Sequence, residues 1–138
     1  MMMSKGSGES KDSNQTGQIA KQVVIKLDAA WNDARKIVKT DGQLIYVGDV
    51  FERLADFGNR SETADLCIVK VNGKIWKLEV KGFVLGSIAM GVCFAHVTET
   101  SQIVVLGVVD SDVGTTLKPH LVIKMERRLA YYLDELAQ

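Results

Sequence analysis

The alternation of apolar and polar side chains is strictest at residues 74–82, which read Lys-Ile-Trp-Lys-Leu-Glu-Val-Lys-Gly. A period of two predicts a β-strand, and the Ile, Trp, Leu and Val content agrees. One face of this strand carries Trp76, Leu78 and Val80. The other face carries three ionisable groups in a row, Lys77, Glu79 and Lys81. Such a row is ordinary if it meets water, and it is a candidate site if another element covers it.

The first part of the chain changes from a polar tail to a strand and a helix. Residues 1–19 are rich in Ser, Gly, Asn, Gln and charge after three methionines, so we predict a disordered N-terminal tail. Residues 23–25 form a β-branched run and predict a short first strand. Asp28 is the expected cap of a first helix, which ends before Gly42.

A second helix is predicted after a short connection. Residues 44–47 are expected to be extended, as a weak strand or a linker. Asp49 and Glu52 have the spacing of a capping box, which predicts that the helix begins there. Gly58 is expected to end it in a left-handed conformation.

From residue 65 onward the period changes from 3.6 to 2. We predict a meander of four antiparallel strands, at residues 66–71, 74–85, 88–97 and 102–109. Pro119 suits the first turn of a last helix. The outward side of that helix is expected to carry His120, Lys124, Arg127, Tyr131 and Asp134.

This order of elements predicts the fold class α+β: a short first strand, two helices, a four-stranded antiparallel meander and a C-terminal helix. The helices are expected to pack on one face of the sheet. Residues 20–138 are long enough to bury a core and are predicted to form a single domain.

Charge and cysteine content narrow the functional classes. The chain has 17 basic and 17 acidic residues, so nucleic acid can be bound only through a local patch. Cys67 and Cys93 lie in apolar runs, which predicts buried free thiols and a cytoplasmic location. The longest uncharged apolar stretch, residues 83–95, is shorter than the roughly 20 residues that span a bilayer, so no membrane association is expected.

The order of elements over about residues 23–136 resembles the RelE/ParE/HigB superfamily of small bacterial and phage toxins. Residues 75–82 are similar to the block of those toxins in which a strand with Trp continues into Glu-Leu-Arg and Lys-Gly. Residues 102–109 resemble their penultimate strand, and residues 118–133 resemble their closing helix.

The resemblance implies a protein that binds RNA, a ribosomal site or a cognate antitoxin. RNases of that superfamily hold the phosphate and activate the 2′-hydroxyl with clustered Arg and Lys, often with Tyr or His. Catalytic candidates here are the strand residues Lys77, Glu79 and Lys81. Phosphate-binding candidates are Lys124, Arg127 and Tyr131. Two positions that are usually basic or aromatic read Met90-Gly91-Val92 and Asp110-Ser111-Asp112, so weakened RNase activity is expected.

Residues 64–69 and 78–82 also resemble the metal-site hairpin of the PD-(D/E)xK nucleases. This resemblance implies that Asp65 and Glu79 hold Mg²⁺ and that Lys81 positions the attacking water. Glu52 is a candidate further ligand, unless its role is to cap the second helix. Mg²⁺ is the expected cofactor under this alternative, and no cofactor is expected otherwise.

Two structural features discriminate between the resemblances, and the sequence leaves both open. A two-residue turn at Asn72 would put Asp65 on the face opposite Glu79, whereas a three-residue loop would put Asp65, Glu79 and Lys81 on one face. The nuclease fold also needs a helix within residues 87–101, where the periodicity favours a strand.

Three functions therefore remain. The chain is a divergent toxin-superfamily protein that binds RNA or an antitoxin, a Mg²⁺-dependent DNA nuclease, or a non-enzymatic phage or plasmid interaction protein. In the simplest structural interpretation, the charged face of the central strand is solvated, and its ion pairs contribute little to stability. Whether the chain is an enzyme, and whether it forms a homo-oligomer, are left open.

Overall fold

The computed structural model describes residues 20–59, 61–110 and 117–138. The predicted tail at residues 1–19 and most of the predicted loop at residues 110–116 lie outside the described residues. No helix in the described ranges is long and apolar enough to cross a membrane.

In the described ranges, one five-stranded sheet organises the fold. Its strands are β1 (Val23–Lys26), β2 (Cys67–Lys70), β3 (Trp76–Gly82), β4 (Gly86–Val97) and β5 (Gln102–Asp110). They lie in the order β1-β5-β4-β3-β2, so the four later strands form the predicted antiparallel meander. The first strand pairs parallel to β5, which makes the sheet mixed. The predicted α+β class is confirmed.

Three α-helices surround this sheet in the described part of the chain: α1 (Asp28–Ile37), α2 (Asp41–Arg53) and α3 (Pro119–Leu136). The expectation that all helices share one face is wrong. Buried residues of α1 and α2 pack on one face, against Leu78, Val92 and Phe94. Met125 and Leu129 of α3 pack on the other face, against Cys93 and Leu106. Both faces of the central strands are therefore covered by helices.

The loop between β2 and β3 has three residues, 72–74, because the N–H of Val71 donates to the carbonyl oxygen of Ile75 at 2.9 Å. In this register Lys70 pairs with Trp76 and Cys67 pairs with Glu79. Asn72 explains this choice, because its side-chain oxygen accepts hydrogen bonds from the backbone N–H groups of Lys74 and Ile75, both at 2.8 Å. Such an Asx turn competes with the two-residue turn that Asn-Gly otherwise favours.

The start of α2 differs from the prediction. Residues 44–47 are helical, and the helix begins at Asp41. Thr40 is the N-cap, since its hydroxyl accepts a hydrogen bond from the N–H of Gln43 at 3.1 Å. The capping box predicted at Asp49 and Glu52 is therefore wrong, because both residues lie inside the helix.

Two further boundaries were also predicted incorrectly. Asp28 is the first residue of α1 and Leu27 is its N-cap, with no side-chain hydrogen bond. The predicted strand at residues 74–85 ends earlier, at Gly82, and one 3₁₀ turn then leads to Gly86 with φ of 64°. Residues 87–97 continue as β4, so the strand favoured there is confirmed up to Val97.

Candidate functional site

The charged row of β3 lies under cover. Lys77 is fully buried, and only 1% of its side chain and 3% of the Glu79 side chain are exposed. The Nζ of Lys77 lies 3.2 Å from the Oε2 of Glu79, so the two charges neutralise each other within one strand. The simple interpretation of a solvated face is therefore wrong for these two residues.

The absence of a side chain at Gly91 makes room for the stem of Lys77. Gly91 pairs with Glu79 across β3 and β4. A Cβ added at this glycine would lie 2.8 Å from the Cδ of Lys77 and 3.2 Å from Cγ2 of Val109. The lysine stem thus packs directly over the backbone of β4, which only glycine allows without displacement.

Glu79 also contacts Cys67 on the neighbouring strand. The thiol of Cys67 donates a hydrogen bond to Oε1 of Glu79, with 3.6 Å between sulfur and oxygen. Partial desolvation of the sulfur raises the pKa of the Cys67 thiol, and the negative charge of Glu79 raises it further. The predicted burial of this cysteine is wrong, since Cys67 is exposed, whereas Cys93 is buried as predicted.

Asp65 is held by an arginine. The two carboxylate oxygens of Asp65 accept hydrogen bonds from Nη1 and Nη2 of Arg53, each at 2.8 Å. This bidentate pair holds the pKa of Asp65 below its ordinary value. Glu52, the other candidate ligand, pairs with Lys26.

The structure brings Asp65, Glu79 and Lys81 to the lining of one cavity of about 330 Å³. Each carboxylate already has a cation, since Arg53 pairs with Asp65 and Lys77 pairs with Glu79. In the described part of the chain, no group of three or more His, Cys, Asp or Glu residues is placed to hold a metal ion. The Mg²⁺ site stays a prediction that this arrangement does not favour.

An ion pair that the sequence pattern did not indicate joins α3 to α1. Nη1 of Arg128 lies 2.7 Å from Oδ2 of Asp33 and 3.0 Å from the carbonyl oxygen of Leu106. The same carboxylate accepts a hydrogen bond from the N–H of Val108 at 3.1 Å. Strand β1 pairs with β5 only as far as Val105, and β5 has a bulge directly after that point. There Asp33 and Arg128 bind the backbone groups of β5 that β1 does not reach.

The outward face of α3 carries the other predicted residues. His120, Lys124, Arg127 and Tyr131 recur at the spacing of one helical face and are all exposed. Tyr131 is 68% exposed. Arg127 and Tyr131 line a cavity of about 420 Å³ together with Asp28 at the start of α1. We name these four residues of α3 the basic stripe.

Comparisons with known proteins support the fold. No protein-family model matches the sequence, and no curated protein matches it. Among solved structures, the chain is similar to a double arginine-to-alanine mutant of the Escherichia coli toxin RelE in the free state. The match has a TM-score of 0.50 and 11% identity, and it covers 78% of this chain and 97% of that chain. At this identity the likeness shows the fold alone, which is RelE-like.

Proposed function

We propose that this chain is a RelE-fold protein that binds single-stranded RNA through the basic stripe of α3 and does not cleave it. The main observation in support is that Lys124, Arg127 and Tyr131 are exposed on one helical face beside a cavity. In this proposal the charged residues of the central strand are structural.

The first argument concerns the central strand. Catalysis on a phosphodiester needs cations that reach the phosphate. Lys77 is fully buried and lies 3.2 Å from Glu79, so its charge is already neutralised. Moving the lysine away from Glu79 would break this buried ion pair, which is strongly unfavourable. Lys77 therefore does not serve as a phosphate ligand in this conformation.

The second argument concerns the basic stripe. Lys124 and Arg127 form no hydrogen bond or ion pair with any other described residue, so both cations are available to a ligand. Lys124 and Arg127 are three positions apart on α3, so the two cations lie next to each other on one side of the helix, where they can meet neighbouring phosphates. The exposed ring of Tyr131 offers a surface on which an unpaired base can stack.

Fluorescence anisotropy with a labelled single-stranded RNA tests this proposal. The double substitution of Lys124→Ala and Arg127→Ala is expected to weaken binding at least about tenfold, since two charged contacts are lost. A matched control removes two exposed lysines elsewhere, Lys36→Ala and Lys39→Ala. Equal affinity of the two double variants would contradict the proposal.

The same incubations test cleavage. We expect the labelled RNA to remain intact with the wild-type chain, with and without Mg²⁺. Cleavage that requires Mg²⁺ and disappears in Asp65→Ala and Glu79→Ala would support the nuclease alternative. Cleavage without Mg²⁺ that disappears in Arg127→Ala would mean that the basic stripe is catalytic.

A second candidate function is the binding of a protein partner such as an antitoxin. The observation that favours it is three exposed apolar side chains on α3, since Ile123, Leu133 and Leu136 are 49%, 40% and 50% exposed. Size-exclusion chromatography with light scattering, using the product of the reading frame next to its own gene, tests this function. Leu133→Glu should abolish a complex, whereas Ile45→Glu on α2 should not.

A further inference from the structure

The two strands β2 and β3 differ in length, and this leaves a gap beside β3. Strand β2 pairs with β3 only from Trp76 to Glu79, whereas β3 continues to Gly82. Before β2, the chain turns toward α2, where Asp65 meets Arg53. The cavity of about 330 Å³ occupies this gap between α2 and β3.

The backbone of Lys81 faces the gap. The N–H of Val71 donates to the carbonyl oxygen of Ile75 at 2.9 Å, so odd-numbered residues of β3 direct their backbone groups toward β2. Glu79 is the last odd-numbered residue of β3 that pairs with a residue of β2. The N–H and C=O of Lys81 therefore point to the place where a further β2 residue would lie, and neither is paired with a described residue of β2.

The cavity has an apolar floor and two opposite charges. The floor is formed by Val50, Leu66, Leu78 and Val80. Asp49 and Lys81 also line the cavity, are exposed, and form no side-chain hydrogen bond or ion pair with any residue in the described ranges. The other charged lining groups are already paired, because Asp65 binds Arg53 and Glu79 lies against Lys77.

We infer that this cavity binds a small zwitterion with an apolar side chain, of the α-amino acid type. Asp49 holds the ammonium group, and the apolar floor takes the side chain. The carboxylate lies at the free edge of β3, where the backbone N–H of Lys81 points and the flexible lysine side chain can reach round the edge. The volume lies at the lower end of the range for small-molecule sites, which suits a ligand of this size. A nucleotide fits less well, since the lining has three carboxylates and two cations and offers no excess of positive charge.

Amide chemical-shift mapping of the full chain with L-leucine as the probe tests the inference. At about 20 mM leucine, shifts are expected at Asp49, Leu66 and Lys81. Two analogues each lack one charge: 4-methylpentanoate has no ammonium group, and isoamylamine has no carboxylate. Both are expected to bind about tenfold more weakly than leucine.

Two charge-removing variants and one control complete the test. Asp49→Asn and Lys81→Met should each weaken leucine binding about tenfold. Lys74→Met, which removes an exposed lysine at the β2–β3 turn, should leave binding unchanged. The inference is overturned if leucine shifts no amide at the cavity, if 4-methylpentanoate binds as well as leucine, or if Asp49→Asn binds like the wild type. RNA binding is measured separately at α3, so either proposal can fail alone.

Discussion

Replacement of Lys77 by methionine tests whether the central strand is structural. Methionine keeps the stem that packs over Gly91 and removes the charge that faces Glu79. Only 3% of the Glu79 side chain is exposed, so its carboxylate would be left buried without its lysine. Breaking a buried pair in this way costs about 3–5 kcal/mol of unfolding free energy.

Urea unfolding followed by tryptophan fluorescence measures this cost. The matched control is Lys81→Met, the same change four residues along the same strand at an exposed position. It should change the unfolding free energy by less than about 0.5 kcal/mol. The double variant of Lys77→Met with Glu79→Leu should recover at least about half of the loss, because the uncompensated charge is gone.

The reasoning is refuted if Lys77→Met costs no more than Lys81→Met. That result would mean that the Lys77 ammonium is solvated in solution and free to meet a phosphate. A loss in Lys77→Met that the double variant does not reduce would contradict the ion pair as its cause. RNA affinity of the Lys77→Met variant, measured well below its unfolding midpoint, should equal that of the wild type.

Three other predictions concern the same region. Gly91→Ala should destabilise the protein by about 1–3 kcal/mol in urea unfolding, because the new methyl would overlap the stem of Lys77, and an unchanged midpoint would contradict that packing. Burial raises the pKa of the Cys93 thiol to about 12, so a thiol reagent such as DTNB should modify Cys67 in the folded protein and Cys93 only after unfolding. Rapid reaction of both cysteines in the folded protein would contradict the burial of Cys93. The lowered pKa of Asp65 contributes stability that is present above the carboxyl's unfolded pKa and is lost as pH falls through its folded pKa. Below about pH 4 the unfolding midpoint of Asp65→Asn should therefore fall less than that of the wild type, and parallel curves would show that the ion pair contributes nothing to stability.

Local periodicity predicted most of the fold. The change of period at residue 65 located the meander, and Pro119 marked the first residue of α3. The start of α2 was missed because Gly42 was interpreted as the end of a helix, although Thr40 and Gln43 have the spacing of a capping box. Glycine is tolerated within a first helical turn once a strong N-cap precedes it, so the cap at Thr40 outweighs the low helix propensity of Gly42.

The candidate site was only partly accessible from the sequence. The basic stripe follows from helical spacing alone, and its exposure agrees with that prediction. Burial of Lys77 could not be predicted, because a strand pattern does not say which element covers its polar face. The pair between Asp33 and Arg128 spans 95 positions of the chain, and no local pattern indicates a contact at that separation.

The salt dependence of RNA affinity tests the central claim most directly. Each phosphate contact with a single strand contributes about −0.7 to the slope of log K against log salt concentration. With Lys124 and Arg127 as the two contacts, the wild-type slope should be about −1.4, and it should approach zero in the double alanine variant. An unchanged slope in that variant would contradict RNA binding through α3.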